Sequence, residues 1–281
     1  MDCERYKKHI QNFSFDKCAL GNQGYKRLLL QVFGFTGHGK SSFINSCKYV
    51  MDDAAVYKNY AKVAAHSEKP ETMIRKTHEL TRNITLVDNR GCVRMDSHET
   101  GVIYTQLGHF LPLDTEVIWD SGFDATLKHW ANFSQVDHSA DFIVPVFAYS
   151  AEARMSTEDF ENLKEIFTKA QEITGLIPTV VLTHGQSENL GDVWGKFNQL
   201  GATNMFFFEN YTQQDQRKLR GKHERILSCL YEITEDVVFR MSEKRDIFAE
   251  QAKRSKVLFD FVREKEKKRA VEKALYSKGN F

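Results

Sequence analysis

The chain has 281 residues, with 39 Lys and Arg against 38 Asp and Glu, so its formal charge is +1 at neutral pH. At 41 % hydrophobic and 12 % aromatic residues it can bury a sizeable core, as one large domain or a domain with an appendage. The charge balance gives no global attraction to nucleic acid or to an anionic surface, and no apolar run approaches the ~20 residues that a membrane-spanning helix needs.

The N-terminal stretch MDCERYKKHIQNFSF is polar and charged, unlike a secretory leader. The five cysteines, Cys3, Cys18, Cys47, Cys92 and Cys229, are scattered, odd in number and without CxxC spacing. That pattern favours reduced thiols in a cytoplasmic setting over a disulfide frame or a zinc site. Residues 1–24 predict a short helix with Tyr6, Ile10 and Phe13 on one side, then a loop ending at Gly21 and Gly24. The segment reads as a strap packed on the domain or as a docking element.

The stretch YKRLLLQVFGFTGHGKSSFINSCKYV, Tyr25 to Val50, organises the rest. Leu28 to Phe33 predicts a buried strand, followed by a glycine-rich turn and an apolar-periodic helix. In that context G-x-x-x-x-G-K-[ST] is a phosphate-binding pattern. Gly34, Gly37 and Gly39 let the backbone wrap closely, and the N–H groups of Thr36 to Ser42 with the helix N-terminus face an anion. His38 sits inside this loop. Lys40 would reach the β- and γ-phosphates and Ser41 would ligate Mg²⁺.

Residues 52–70 are polar and irregular. Glu71 to Leu80 alternates in part, and Ile84 to Val87 predicts a strand ending at Asp88, with Gly91 three residues on. This D-x-x-G at a strand end, about 50 residues after Lys40, suits a carboxylate that assists Mg²⁺ and a glycine N–H that meets a γ-phosphate. A threonine between the two motifs would close over the metal. Thr72 and Thr77 are the candidates, and Thr72 is preferred because it follows the Pro-containing loop. In 92–140, Tyr104, Leu107, Phe110 and Leu111 have helical spacing, and Trp119, Trp130 and Phe133 follow. This region reads as a partner-binding insertion or as a satellite of the core.

Asp141 to Ser150 predicts a buried strand despite Pro145. Ser156 to Thr174 predicts an amphipathic helix with a Ser156 or Thr157 cap and Gly175 beyond its end. Ile177 to Gly185 and Met205 to Phe208 predict two more strands, ending at Thr183–His184 and Glu209–Asn210. Strands alternating with helices make an α/β fold with a mostly parallel sheet, whose ligand sites lie beyond the strands' carboxyl ends. Every motif above falls at such an end. From about Asp215 the chain reads as helical. Residues 241–281 form a charged amphipathic helix, with 12 Lys and Arg against 7 Asp and Glu. It suits packing back on the domain, partner binding or, less well given its interspersed acids, a membrane surface.

GFTGHGKSSFINS resembles the first motif of the P-loop GTPases of the translation-factor-related class, as in septins, chloroplast-import GTPases, AIG1-type GTPases and immunity-related GTPases. GKSSFIN followed by ETMIR resembles the immunity-related (interferon-inducible) GTPases most. The resemblance spans roughly Leu28 to Asn210. It implies a three-layer G domain over residues 25–240, between the 1–24 strap and the 241–281 helix, with Thr72 as the switch threonine. The usual N-K-x-D is replaced by Thr183-His184-Gly185. VVLTHG is similar to the T-H variant of the chloroplast-import and AIG1-like branch, where a basic residue stacks on the base. FFFENYT, with Glu209 and Asn210, is similar to the later element that helps read guanine. A carboxylate there can accept from guanine N1–H and N2–H₂, a donor pair that adenine lacks.

The expected ligands are therefore GTP or GDP with Mg²⁺, the metal set being Ser41, Thr72 and Asp88. The position that holds a water-orienting Gln in many GTPases is Cys92. Arg90 and His38 are the remaining catalytic candidates, with Thr72. Arg90 also reads as a strut and His38 as a residue that tunes the loop. The expectation is slow hydrolysis stimulated by self-association, with a homodimer across the nucleotide face. The alternatives are a nucleotide-binding scaffold acting through an unknown protein partner and an ATP-dependent P-loop enzyme.

Overall fold

A computed structural model describes residues 2–62, 74–93, 95, 97–117 and 140–278, with side chains except at 97, 98, 269 and 272–278. Thr72, Trp119, Trp130 and Phe133 lie outside the described residues.

Seven strands form one sheet: β1 Arg27–Phe33, β2 Ile74–Thr81, β3 Ile84–Asp88, β4 Thr115–Glu116, β5 Asp141–Ser150, β6 Thr179–Thr183 and β7 Met205–Phe208. Their order is β4-β2-β3-β1-β5-β6-β7. β3, β1, β5, β6 and β7 run parallel, while β2 is antiparallel to β3 and β4 to β2. β1, β3, β5 and β6 are almost wholly buried, as expected of strands covered on both faces, while β7 at the sheet edge is mostly half-buried. Pro145 is accommodated in the middle of it, opposite Gln31.

The described helices are α1 Asp2–Asn12, α2 Lys40–Asp52, α3 Ser97–Leu107, α4 Thr157–Thr174, α5 Leu190–Gln199, α6 Arg220–Arg240 and α7 Ile247–Lys278, with a 3₁₀ turn at Phe15–Lys17. One face of the sheet packs on α1, α2 and α6 through Ile10, Phe43, Ile44, Cys47, Ile226 and Leu230. The other packs on α3, α4, α5 and α7 through Ile103, Leu163, Ile166, Phe197 and Phe261. The result is a three-layer α/β fold with a mostly parallel sheet.

Local signals explain the element ends. Ser156 caps α4, its side chain accepting from the Asp159 N–H, while Asp159 reaches back to the Ser156 N–H. Gly175, at φ 76°, ends that helix. α3 stops at Leu107, so Phe110 and Leu111 lie beyond it rather than on its face. α6 begins at Arg220, five residues later than the helical pattern suggests, because Asp215 closes a turn with Thr212. The first half of α7 folds back on the domain: Leu258, Phe261 and Val262 join the core, and Arg245 and Glu250 pair over Tyr25. α1 docks likewise, with Ile10 fully buried.

Candidate functional site

The parallel strands end at Phe33, Asp88, Ser150, Thr183 and Phe208 along one edge of the sheet. Gly34 to Gly39 leaves that edge as a loop held on both sides. The Thr36 N–H donates to the Cys92 carbonyl at 2.7 Å, and the Cys92 N–H to the Gly34 carbonyl at 3.2 Å. From the other side, Thr183 Oγ1 donates to the His38 carbonyl at 3.2 Å and Asn210 Nδ2 to the Gly39 carbonyl at 3.3 Å. The carbonyls of Gly34, His38 and Gly39 are thus occupied. The N–H groups of Gly37, Gly39, Lys40, Ser41 and Ser42 meet no acceptor among the described residues.

Glycine is required here by space. A Cβ on Gly34 would run into the Ala148 carbonyl, and one on Gly39 would come within 2.8 Å of the Thr183 methyl. Gly39 also has φ 82° as the residue that caps α2. Across the gap, a Cβ on Gly91 would lie 2.7 Å from Lys40 Nζ and 3.1 Å from Thr36 Cα. The D-x-x-G glycine is therefore pressed against the loop and its lysine.

Lys40 is only 6 % exposed, and its ammonium donates to the Phe35 carbonyl at 2.8 Å. Burial pushes its pKa down, with Asp88 acting against that. Ser41 Oγ donates to Asp88 Oδ2 at 2.8 Å. Asp88 is buried, and its Oδ1 has no hydrogen-bond partner. Burial lifts this carboxyl to about 6, against the pull of Lys40 and Ser41. Thr36 Oγ1 is a second buried oxygen without a partner. A buried cation, a half-served carboxylate and a row of unserved N–H groups thus meet at one strand edge.

The orphaned Asp88 Oδ1 beside Ser41 suits one divalent cation. Among the described residues no three or more His, Cys, Asp or Glu side chains gather as a metal centre.

The residues expected to meet a base lie two or more strands from β1. His184 follows β6 at φ 55°, an uncommon conformation for a non-glycine residue. Its Nδ1 is 3.0 Å from Ser150 Oγ and 3.3 Å from Thr183 Oγ1, and its Nε2 is 4.0 Å from Glu152. Glu209 Oε1 accepts from the Gln186 N–H at 3.0 Å. A cavity of about 300 Å³ is lined by Gly185, Gln186, Glu209, Lys222 and Arg225 among others. Asn210 braces the loop through Gly39, and its Oδ1 lies 3.4 Å from the Ser46 hydroxyl.

The catalytic candidates are placed less openly. His38 packs inward between Phe35 and Tyr149, at ring distances of 5.1 and 4.7 Å. Its Nδ1 accepts the Ser150 N–H at 3.2 Å, and burial lowers its pKa to about 4, so it is neutral at physiological pH. Arg90 is buried, with its backbone N–H donating to Gln106 Oε1 at 3.2 Å. Thr77 is a β2 residue whose N–H and hydroxyl both bond Asp114, at 2.9 and 2.7 Å.

Two contributors escape a reading by motif. Ser150, which holds both His38 and His184, lies opposite Thr183 in the β5–β6 register. Its place at the end of a predicted strand is the signal that finds it. Arg75 carries no such signal. No protein-family model matches this chain, and no curated protein matches it either.

Proposed function

We propose that the chain binds a guanine nucleotide with Mg²⁺ and hydrolyses GTP slowly, as a switch or self-assembling GTPase. The observation that carries this reading is the meeting of Lys40, Ser41 and Asp88 beside five unserved N–H groups at the carboxyl edge of a parallel sheet. Bound phosphate would satisfy the N–H groups of Gly37, Gly39, Lys40, Ser41 and Ser42 and bring negative charge to Lys40. Mg²⁺, when bound, neutralises phosphate charge. Ser41 and Asp88 are the residues that would hold it, with Thr72 as a third candidate. Gly91, packed close to Lys40, is the candidate to present its N–H to a terminal phosphate.

His184 is the candidate platform for the base, fixed by Ser150 on one side. Glu209 is the candidate acceptor for guanine N1–H and N2–H₂, and the cavity beside it gives room. The resemblance of GKSSFIN followed by ETMIR to immunity-related GTPases supports the same reading and suggests a self-assembling member.

A second reading, a nucleotide-binding scaffold with negligible turnover, is favoured by one observation. The residue after Gly91 is the buried Cys92, and both His38 and Arg90 are turned into the protein. Calorimetry with GTP, GDP and ATP in Mg²⁺ tests binding, and single-turnover hydrolysis separates the two readings. Uptake of GTP and GDP in preference to ATP supports the assignment. Equal affinity for ATP overturns the role given to Glu209, and no uptake of any of the three overturns the site. Turnover per molecule that stays flat through the micromolar range overturns stimulation by self-association.

A further inference from the structure

Arg75, near the start of β2, is fully buried, yet every face of its guanidinium is occupied. Nε donates to Asn89 Oδ1 at 3.1 Å. One terminal nitrogen donates to the Leu111 carbonyl. The other reaches Gln31 Oε1 at 2.9 Å, the Gln106 carbonyl at 2.9 Å and His109 Nδ1 at 3.0 Å. A guanidinium can only donate, so His109 Nδ1 accepts and its ring proton sits on Nε2. That nitrogen lies 3.2 Å from Asp141 Oδ2, and Asp141 is itself gripped by Arg27 at 2.9 and 2.8 Å.

These contacts form a closed circuit around the loop that follows β3. Asn89 is the neighbour of Asp88 and is held by Arg75. Arg90 follows, and its N–H is held by the Gln106 side chain, while the Gln106 main chain is held by Arg75. Arg75 and Gln106 together therefore clamp residues 89 and 90, between Asp88 and Gly91, to the C-terminal end of α3. From there His109 continues the chain of polar contacts to Asp141 and Arg27, at the opposite edge of the sheet from the candidate site.

We propose that Arg75 is a positioning residue that couples the Asp88–Gly91 loop to the end of α3, so that the loop's response to a terminal phosphate is transmitted there. The inference rests on the nucleotide reading above. It requires that Arg75 act on the difference between a triphosphate and a diphosphate, because the loop it holds ends at Gly91, the candidate contact to the terminal phosphate, and not on nucleotide binding as such. Linkage then makes the effect reciprocal: the state of the α3 end biases the loop.

The test measures Mg²⁺-dependent affinity for GDP and for a non-hydrolysable GTP analogue in the full chain, for wild type, Arg75→Lys and Asn89→Ala, with melting temperature alongside. Lysine keeps the charge but cannot serve five acceptors. Asn89→Ala removes the loop-side acceptor of Arg75 and the long contact of Asn89 Nδ2 to Gln31, and keeps the buried cation. The expected result is an affinity for GDP within about twofold of wild type and a GTP-over-GDP ratio lowered about fivefold or more in both variants. If Arg75→Lys does not fold, Asn89→Ala decides. An unchanged ratio overturns the coupling. So does a parallel loss for both nucleotides that tracks melting temperature, since that is the signature of a merely structural arginine. If wild type binds neither nucleotide, the functional reading itself has failed and this inference falls with it, an outcome distinct from wild-type binding with an unchanged ratio.

Discussion

Two buried cations, Lys40 and Arg75, lie on opposite sides of the Asp88–Cys92 loop, and the protein treats them differently. Arg75 has a partner in every direction: two side-chain oxygens, two carbonyls and a ring nitrogen. Lys40 has one carbonyl, and its nearest carboxylate, Asp88, keeps an oxygen unserved. Removing a charge from water costs several kcal/mol unless hydrogen bonds replace the lost hydration. The arginine shell meets that demand within the fold. The lysine site leaves it partly unmet, which is the arrangement expected of a group whose partner arrives from solution. Burial pulls Arg75 down only to about 9, so it stays charged at neutral pH.

The comparison breaks first at Arg75. Replacing it by Met deletes a cation and strands its acceptors in the core, so the folded state should lose about 3–5 kcal/mol, read as a lower denaturant midpoint. A loss below about 1 kcal/mol would show that the shell is not structural and remove the contrast with Lys40.

Lys40→Ala should do the reverse. It should weaken Mg²⁺–nucleotide binding about a hundredfold or more, near 3 kcal/mol. The ligand-free protein should change by no more than about 1 kcal/mol, because one hydrogen bond is lost while a buried charge is relieved. Calorimetry and denaturation on the same sample give both numbers. Retained affinity would refute the loop assignment, and a large stability loss would make Lys40 a second Arg75.

How much of this contrast could be read from the chain follows from where the partners come from. Lys40, Ser41 and the three loop glycines occupy one stretch of eight positions, so their local order alone announces the site. Asp88 was legible because a β-rich run ends on it. The strands of the parallel sheet were legible as apolar runs, since both faces are covered. Arg75 draws its partners from β1, the loop after β3, α3 and the turn beyond α3, and two of them are main-chain carbonyls. Carbonyls carry no residue identity, so no spacing pattern could foretell that shell. The pattern of β2 was only partly alternating for a related reason. His78 and Leu80 face one layer while Arg75 faces the other, so both faces are buried at different ends of the strand.

Asp88 sharpens the comparison through pH. Its folded value, about 6, lies above the 3.8 of the free side chain. The folded state therefore favours the protonated form, and that stabilisation is complete below about 3.8 and is lost as pH rises through 6. The full difference is on the order of 3 kcal/mol. Metal binding needs the ionised form, so Mg²⁺–nucleotide affinity should fall as pH drops below about 6, while the ligand-free protein gains stability over the same range. Asp88→Asn should flatten both profiles. Identical pH slopes in wild type and variant would mean that the carboxyl is not the titrating group.

The smallest effect expected is at His184, which among the described candidate site residues alone holds a left-handed backbone without being glycine. Its φ of 55° costs of order 1–3 kcal/mol, offset in part by the contacts of its ring with Ser150 and Thr183. Glycine adopts that conformation freely. His184→Gly should therefore leave stability within about 1 kcal/mol of wild type, the relief of strain and the lost hydrogen bond nearly cancelling. If the ring is the platform for a base, nucleotide affinity should fall about tenfold, close to 1.4 kcal/mol, while affinity for inorganic triphosphate, which has no base, stays unchanged. An equal fall for nucleotide and triphosphate would place His184 with the loop struts. It would then belong with Thr183 and Asn210, which brace the loop through the His38 and Gly39 carbonyls, rather than with a base-recognition element.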